Sequence, residues 1–155
     1  MTKLLVLSDS HGARDAIKRI LNKEQNNVDA VIFLGDGLRD LEQALAFFPH
    51  LRVYSVAGNC DYGALEPLDG LAGFDQTVVF YTHGHMYGVK YDLDTLADAA
   101  AARGAVQPVV HLVRLRHGQP GVLRAVGAEG RRVVPREGVL LRLAARAAPD
   151  DGRGV

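Results

Sequence analysis

Lys3-Leu4-Leu5-Val6-Leu7-Ser8-Asp9-Ser10-His11 decides how the rest of the sequence is read. Residues 4–7 form a short apolar run of the kind that makes a buried strand. The run stops at Asp9-Ser10-His11-Gly12, where a carboxylate and an imidazole two residues apart share one turn. Such a pair can point at a common centre, and its donors suit a borderline divalent cation such as Mn²⁺, Fe²⁺ or Zn²⁺. One turn of this kind says little; recurrence along the chain gives it weight.

Working outward, residues 13–23 carry Ala16, Ile17, Ile20 and Leu21 on one face of an amphipathic helix. Residues 30–34 are a second buried strand, closed by Gly35-Asp36-Gly37. Leu38, Leu41, Leu45 and Phe48 then recur at helical spacing until Pro49, which is expected to stop the helix. Residues 53–56 are a third strand, ending at Ala57-Gly58-Asn59-Cys60-Asp61. Pro67, Gly70 and Gly73 make residues 63–73 read mostly as loop. Residues 77–81 are a fourth strand, ending at Thr82-His83-Gly84-His85, and residues 93–103 an alanine-rich helix.

Alternating strand and helix predicts an α/β fold with a mainly parallel central sheet. In such sheets ligands gather beyond the carboxyl ends of the strands. Here the four strand ends carry Asp9 and His11, then Asp36, then Asn59 and Asp61, then His83 and His85. All are oxygen or imidazole donors beside glycines that let backbone approach closely, so a metal centre is expected.

Bulk properties narrow the class. The 155 residues suffice for one domain with a core that needs no covalent staples. A formal net charge of zero gives no electrostatic reason to expect nucleic acid or a membrane as partner. One cysteine allows no internal disulfide and suits a reducing compartment. With no signal-peptide pattern and no apolar stretch near the roughly 18 residues of a membrane span, a cytoplasmic location is the expectation.

The segments Asp9-Ser10-His11, Gly35-Asp36, Gly58-Asn59-Cys60-Asp61 and Thr82-His83-Gly84-His85 resemble, in order and context, those of the calcineurin-like metallophosphoesterase superfamily. The resemblance is closest to small bacterial and archaeal phosphodiesterases of the YfcE type. It implies a two-sheet β-sandwich flanked by helices, an α+β sandwich with mixed sheets rather than the plain parallel sheet above. It also implies two divalent ions, manganese first, with nickel, iron, zinc or magnesium as alternatives. Asp9 and His11 would hold one ion, Asn59 and His83 the other, and Asp36 would bridge them. The pair would activate a hydroxide for attack on a small phosphodiester, or a phosphomonoester, and neutralise the phosphoryl oxygens. Catalytic roles thus fall to Asp36, Asn59 and His83. Asp61 would orient Asn59 or Cys60 from behind, and His85 would orient His83 or give a proton to the leaving group. Where most of the superfamily has Gly-Asn-His this chain has Gly-Asn-Cys, and the plain expectation for Cys60 is a small buried residue.

The resemblance covers residues 1 to about 105, read as the metallophosphoesterase core. The Gly-His-x-His turn and the later Asn-Pro-Gly-Ser turn of the family are absent from the sequence. His111 lies near the expected place, but the residue two further on is Val113. Composition changes at the same point. Residues 106–155 hold nine of the fourteen arginines, none of the four lysines, and no Ile, Phe, Tyr, Asn, Ser, Thr, Met or Cys. Nine basic against four acidic side chains there give +5; nine against fourteen give −5 before it. This bias is expected of GC-rich DNA translated out of frame, and a frameshift near residue 105 is the hypothesis for this altered segment, with a divergent tail that has its own role as the alternative. Sequencing the gene checks it: a one- or two-base correction should restore Gly-His-x-His. Residues 109–113 and 139–143 are still expected to pair as strands, and 150–155 to fray. An incompletely covered sheet would favour self-association into a homo-oligomer.

Loss of a ligand from each metal predicts weaker metal binding and lower turnover. The competing expectation is a non-catalytic protein-interaction scaffold of the same fold, of which the retromer subunit Vps29 is the precedent. A receiver-like phosphoacceptor domain on Asp9 or Asp36 would leave His11, Asn59 and His83 without a purpose.

Overall fold

In a computed structural model of the chain, residues 2–75, 77–89, 91–92, 94–105 and 139–142 are described. The opening apolar run is strand β1 (Lys3–Leu7), followed by α1 (Arg14–Glu24), β2 (Ala30–Phe33), α2 (Leu38–Leu45) and β3 (Val53–Ser55). Then come β4 (Asp69–Phe74), β5 (Thr77–Thr82), a 3₁₀ turn (His85–Tyr87), α3 (Asp94–Ala102) and β6 (Val139–Arg142). The first sheet has the order β3-β2-β1-β6; β1, β2 and β3 run parallel, and β6 joins β1 antiparallel. The second sheet is the antiparallel pair β4-β5.

Strand alternation explains why the runs in β1 and β2 are apolar throughout. Leu4, Val6, Ala30 and Ile32 face the second sheet, where they meet Ala72, Phe74, Val79 and Tyr81. Leu5, Leu7, Val31 and Phe33 face the other way, against Ile17 and Leu21 of α1 and Leu38, Leu41 and Ala44 of α2. Phe80, pointing outward from β5, is covered by Leu96 and Ala100 of α3. Helix, sheet, sheet and helix thus stack in layers, and the parallel pair β1 and β2 is buried on both faces. Fully burying side chains of this size contributes about 1.5–3 kcal/mol each.

The expected elements recur with shifted ends and one substantive correction. Residues 69–74 form β4, although glycines and a proline make 63–73 read as loop. Gly70 pairs with Tyr81 across the hairpin, and a Cβ there would sit 2.3 Å from the Tyr81 ring. The glycine makes room for a cross-strand aromatic, a strand feature that looks like a breaker in sequence. Helix α2 also ends at Leu45, before Pro49. The first sheet is mixed, as the two-sheet resemblance implies and the plain parallel sheet does not. The chain segment at 139–142 does form a strand, whereas expectations for 106–138, including His111 and a strand at 109–113, and for 150–155 lie outside the described residues. Among the described residues no helix is long and apolar enough to cross a membrane.

Candidate metal centre

Parallel pairing of β1, β2 and β3 brings three strand ends to one edge of the first sheet, and the end of β5 in the second sheet meets them there. The loops are laced by backbone bonds: Asp9 N–H donates to Gly35 C=O at 2.9 Å and His11 N–H to Asp36 C=O at 3.2 Å. Asp9, His11 and Asp36 all take positive φ, at 56°, 43° and 58°. Aspartate tolerates this region better than most residues, but each such residue in a row of candidate ligands stores strain that packing must hold in place.

Asp36 is the hub. It is 1% exposed. Its Oδ1 accepts the Cys60 N–H at 2.8 Å. Its Oδ2 lies 3.4 Å from His83 Nε2 and 3.8 Å from His11 Nε2. His11 Nε2 is also 3.3 Å from Asp9 Oδ1. His83, wholly buried, gives its Nδ1–H to the Leu34 carbonyl at 2.7 Å. That bond leaves the Nε2 lone pair of the neutral ring facing Asn59 Oδ1 at 3.0 Å and Asp36 Oδ2. Three lone-pair atoms aimed at one another repel unless a cation or a proton sits among them. Asp9 Oδ2 and Asp36 Oδ2 are buried with no hydrogen-bond partner among the described residues. Donors within 4.8 Å of each other form two triads, Asp9–Asp36–His83 and His11–Asp36–Cys60, sharing Asp36. The donor set therefore fits divalent metal. His83 and Asp36 lie deep, while His11, Asn59 and Cys60 are exposed and leave the centre open on one side.

Asp61, expected to orient Asn59 or Cys60 from behind, holds backbone of both loops that meet at the centre. Its carboxylate accepts four backbone N–H groups: Asp36 at 2.7 Å, Gly37 and Gly58 at 2.9 Å, and Leu38 at 3.0 Å. It thereby fastens the loop after β2 to the loop after β3 and anchors the first turn of α2. Burial alone would raise this carboxyl, but the bonds from Gly58, Leu38, Gly37 and Asp36 together hold it below the ordinary aspartate value. A depressed folded-state pKa contributes stability above the unfolded value of about 3.9 that is lost as pH falls through the folded one. Asp61→Asn is expected to lose about 2 kcal/mol at neutral pH, with the gap to the parent closing in urea melts below pH 4.

His85 contacts His83 edge-on, with ring centroids 5.4 Å apart. The bond that fixes the His83 tautomer comes from Leu34, not from His85. Asp40 escapes a motif-based reading: its Oδ2 accepts Ser10 Oγ–H at 2.6 Å and Gly12 N–H at 2.8 Å, bracing the turn that carries Asp9 and His11. Cys60 is exposed, against the expectation of a buried thiol.

The sequence model of the calcineurin-like phosphoesterase superfamily domain matches residues 2–111. The chain belongs to the calcineurin-like phosphoesterase superfamily. Among curated proteins none matches it. A conserved uncharacterized protein from Streptococcus pneumoniae TIGR4, described as a predicted phosphoesterase, superposes with a TM-score of 0.62 at 24% identity, over 78% of this chain and 65% of that one. Vps29 of Chaetomium thermophilum gives 0.53 at 16% identity, over 73% and 62%. Vps29 of Entamoeba histolytica, complexed with zinc, gives 0.55 at 16%, over 77% and 73%. These likenesses show the fold. The chain spans less than two thirds of the length of the first two structures. Members of the superfamily use divalent metals, and the two triads lie where its motifs Asp9-Ser10-His11, Gly35-Asp36, Gly58-Asn59 and Thr82-His83 meet.

Proposed function

We propose that this calcineurin-like phosphoesterase hydrolyses small phosphodiesters, or phosphomonoesters, with two divalent ions, manganese first, in the manner of the YfcE-type enzymes. Asp9 and His11 would hold one ion, Asn59 and His83 the other, with Asp36 between them. The observation that carries the proposal is the convergence of His83 Nε2, Asn59 Oδ1 and Asp36 Oδ2, the last with no hydrogen-bond partner among the described residues. When bound, the ions would supply an activated water and neutralise charge on the phosphoryl oxygens. The protein's part is preorganisation. The Leu34 carbonyl, by taking the Nδ1–H, turns the His83 Nε2 toward Asp36 and Asn59, Asp61 locks the loops bearing Asp36 and Asn59, and the exposed side at His11 and Asn59 admits an anionic ester. Without a Gly-His-x-His motif in the sequence the centre has fewer protein donors, so turnover below that of an intact relative is expected.

Calorimetric titration with Mn²⁺ should show two equivalents bound, and hydrolysis of bis-p-nitrophenyl phosphate should appear with Mn²⁺ and vanish with chelator. No binding and no hydrolysis would overturn the proposal. Metal bound without turnover would favour the alternative, a protein-interaction scaffold, which the shared fold with Vps29 keeps open.

A further inference from the structure

We propose that Cys60 is itself a metal ligand, and that its sulfur biases the His11 side of the centre toward thiophilic ions. This rests on the metal-centre reading above and adds a donor to it. Cys60 Sγ, a nitrogen of His11 and a carboxylate oxygen of Asp36 lie within 4.8 Å of one another. The residue is pinned there, because its N–H donates to Asp36 Oδ1 at 2.8 Å. Asn59 Nδ2 donates to Sγ at 3.4 Å while the same amide turns Oδ1 to His83. The sulfur is thus presented as an acceptor, on the amide that also serves the other side of the centre. An independent sign of a cation comes from Asp36 Oδ2, on a side chain with no exposed surface, which has no hydrogen-bond partner among the described residues.

The chemistry of the triad is specific. Sulfur, imidazole and carboxylate together suit Zn²⁺, Co²⁺ or Fe²⁺, whereas Mg²⁺ and Mn²⁺ prefer oxygen. Coordination releases the thiol proton, so the sulfur adds a negative charge to those of Asp9 and Asp36 against the charge of the two divalent ions. A histidine at this position would add none. The two halves of the centre therefore differ in character: oxygen and nitrogen around Asn59 and His83, and sulfur added beside His11.

Cobalt substitution tests this without any assay of turnover. Loaded with Co²⁺, the protein should show a near-ultraviolet sulfur-to-cobalt charge-transfer band. The band should be missing from Cys60→Ser and from Cys60→His while both still bind cobalt. The preference for Zn²⁺ over Mn²⁺ in competition titrations should fall at least about tenfold in Cys60→Ser, since loss of an outer partner alone costs 10–100-fold in affinity. Cobalt bound with the same spectrum in the parent and in both variants would overturn the assignment. A parent protein that binds no cobalt would instead overturn the metal centre itself. The histidine variant covers the case in which serine disturbs the loop, with thermal melts confirming that each variant folds.

Discussion

Asp36→Asn should abolish the stabilisation that Mn²⁺ gives the protein and cut phosphodiester hydrolysis by more than about 100-fold, beyond what loss of an outer partner costs. The substitution keeps the shape of the side chain. Its amide oxygen can still accept the Cys60 N–H that Oδ1 takes now. What it removes is the second oxygen, which faces His11 and His83 from a fully buried carboxylate. An NH₂ group there cannot ligate a cation, and because both triads contain Asp36, both lose their shared donor. The metal-free protein should respond in the opposite direction. Asp9 and Asp36 carry buried oxygens with no partner among the described residues, and a buried charge without compensation is costly. Neutralising one should leave metal-free stability unchanged or raise it. Thermal melts with and without Mn²⁺ separate the two effects. At a concentration 100 times Kd the parent should gain about 2.7 kcal/mol for each ion bound, and Asp36→Asn nothing. An equal gain in both proteins would remove Asp36 from the centre.

Strands β1 and β2 are legible in the sequence because burial on both faces leaves an uninterrupted apolar run, and α1 because its stripe recurs with helical period. β4 is illegible because Gly70 makes room for Tyr81 rather than for a turn, and nothing local distinguishes the two uses. The residues the structure brings together, Asp9, His11, Asp36, Asn59 and His83, stand out by a repeated relation to strand ends. Asp61 and Asp40 show where that signal stops. Each works by accepting hydrogen bonds from a loop 23 to 30 residues away, a task that leaves no spacing or periodicity to read. Cys60 fails for a related reason: thiols are usually buried, and only the position of Asp36 beneath the loop shows that this one borders an open centre. The sheet topology thus decides the roles of donors that the sequence can only nominate.

Gly35→Ala should destabilise the protein by about 2–5 kcal/mol, a large share of the 5–15 kcal/mol typical of a domain. Gly35 has φ +94°, where an L side chain costs roughly 1–2 kcal/mol. Here the space is closed as well. An added Cβ would lie 2.3 Å from Gly58 N, 2.7 Å from Gly58 Cα and 2.9 Å from Ala57 C. These are backbone atoms, so no rotamer change relieves the clash, and overpacking of this kind costs about a further 1–3 kcal/mol. The loop cannot yield cheaply. Gly35 C=O receives the Asp9 N–H, and Asp36 and Gly58 N–H both bind Asp61, so a shift large enough to admit a methyl separates the turns that carry Asp9, Asp36 and Asn59. Mn²⁺ affinity should therefore fall together with stability. Gly63→Ala supplies the comparison, since Gly63 has φ +73° with nothing within 4 Å of the added carbon; it should lose only the roughly 1–2 kcal/mol of the backbone conformation, with metal binding intact. Urea denaturation of the two variants measures the difference. Equal midpoints would mean that the loops after β2 and β3 are free to part, and that the close contact of Gly35 with Gly58 does not hold the centre in shape.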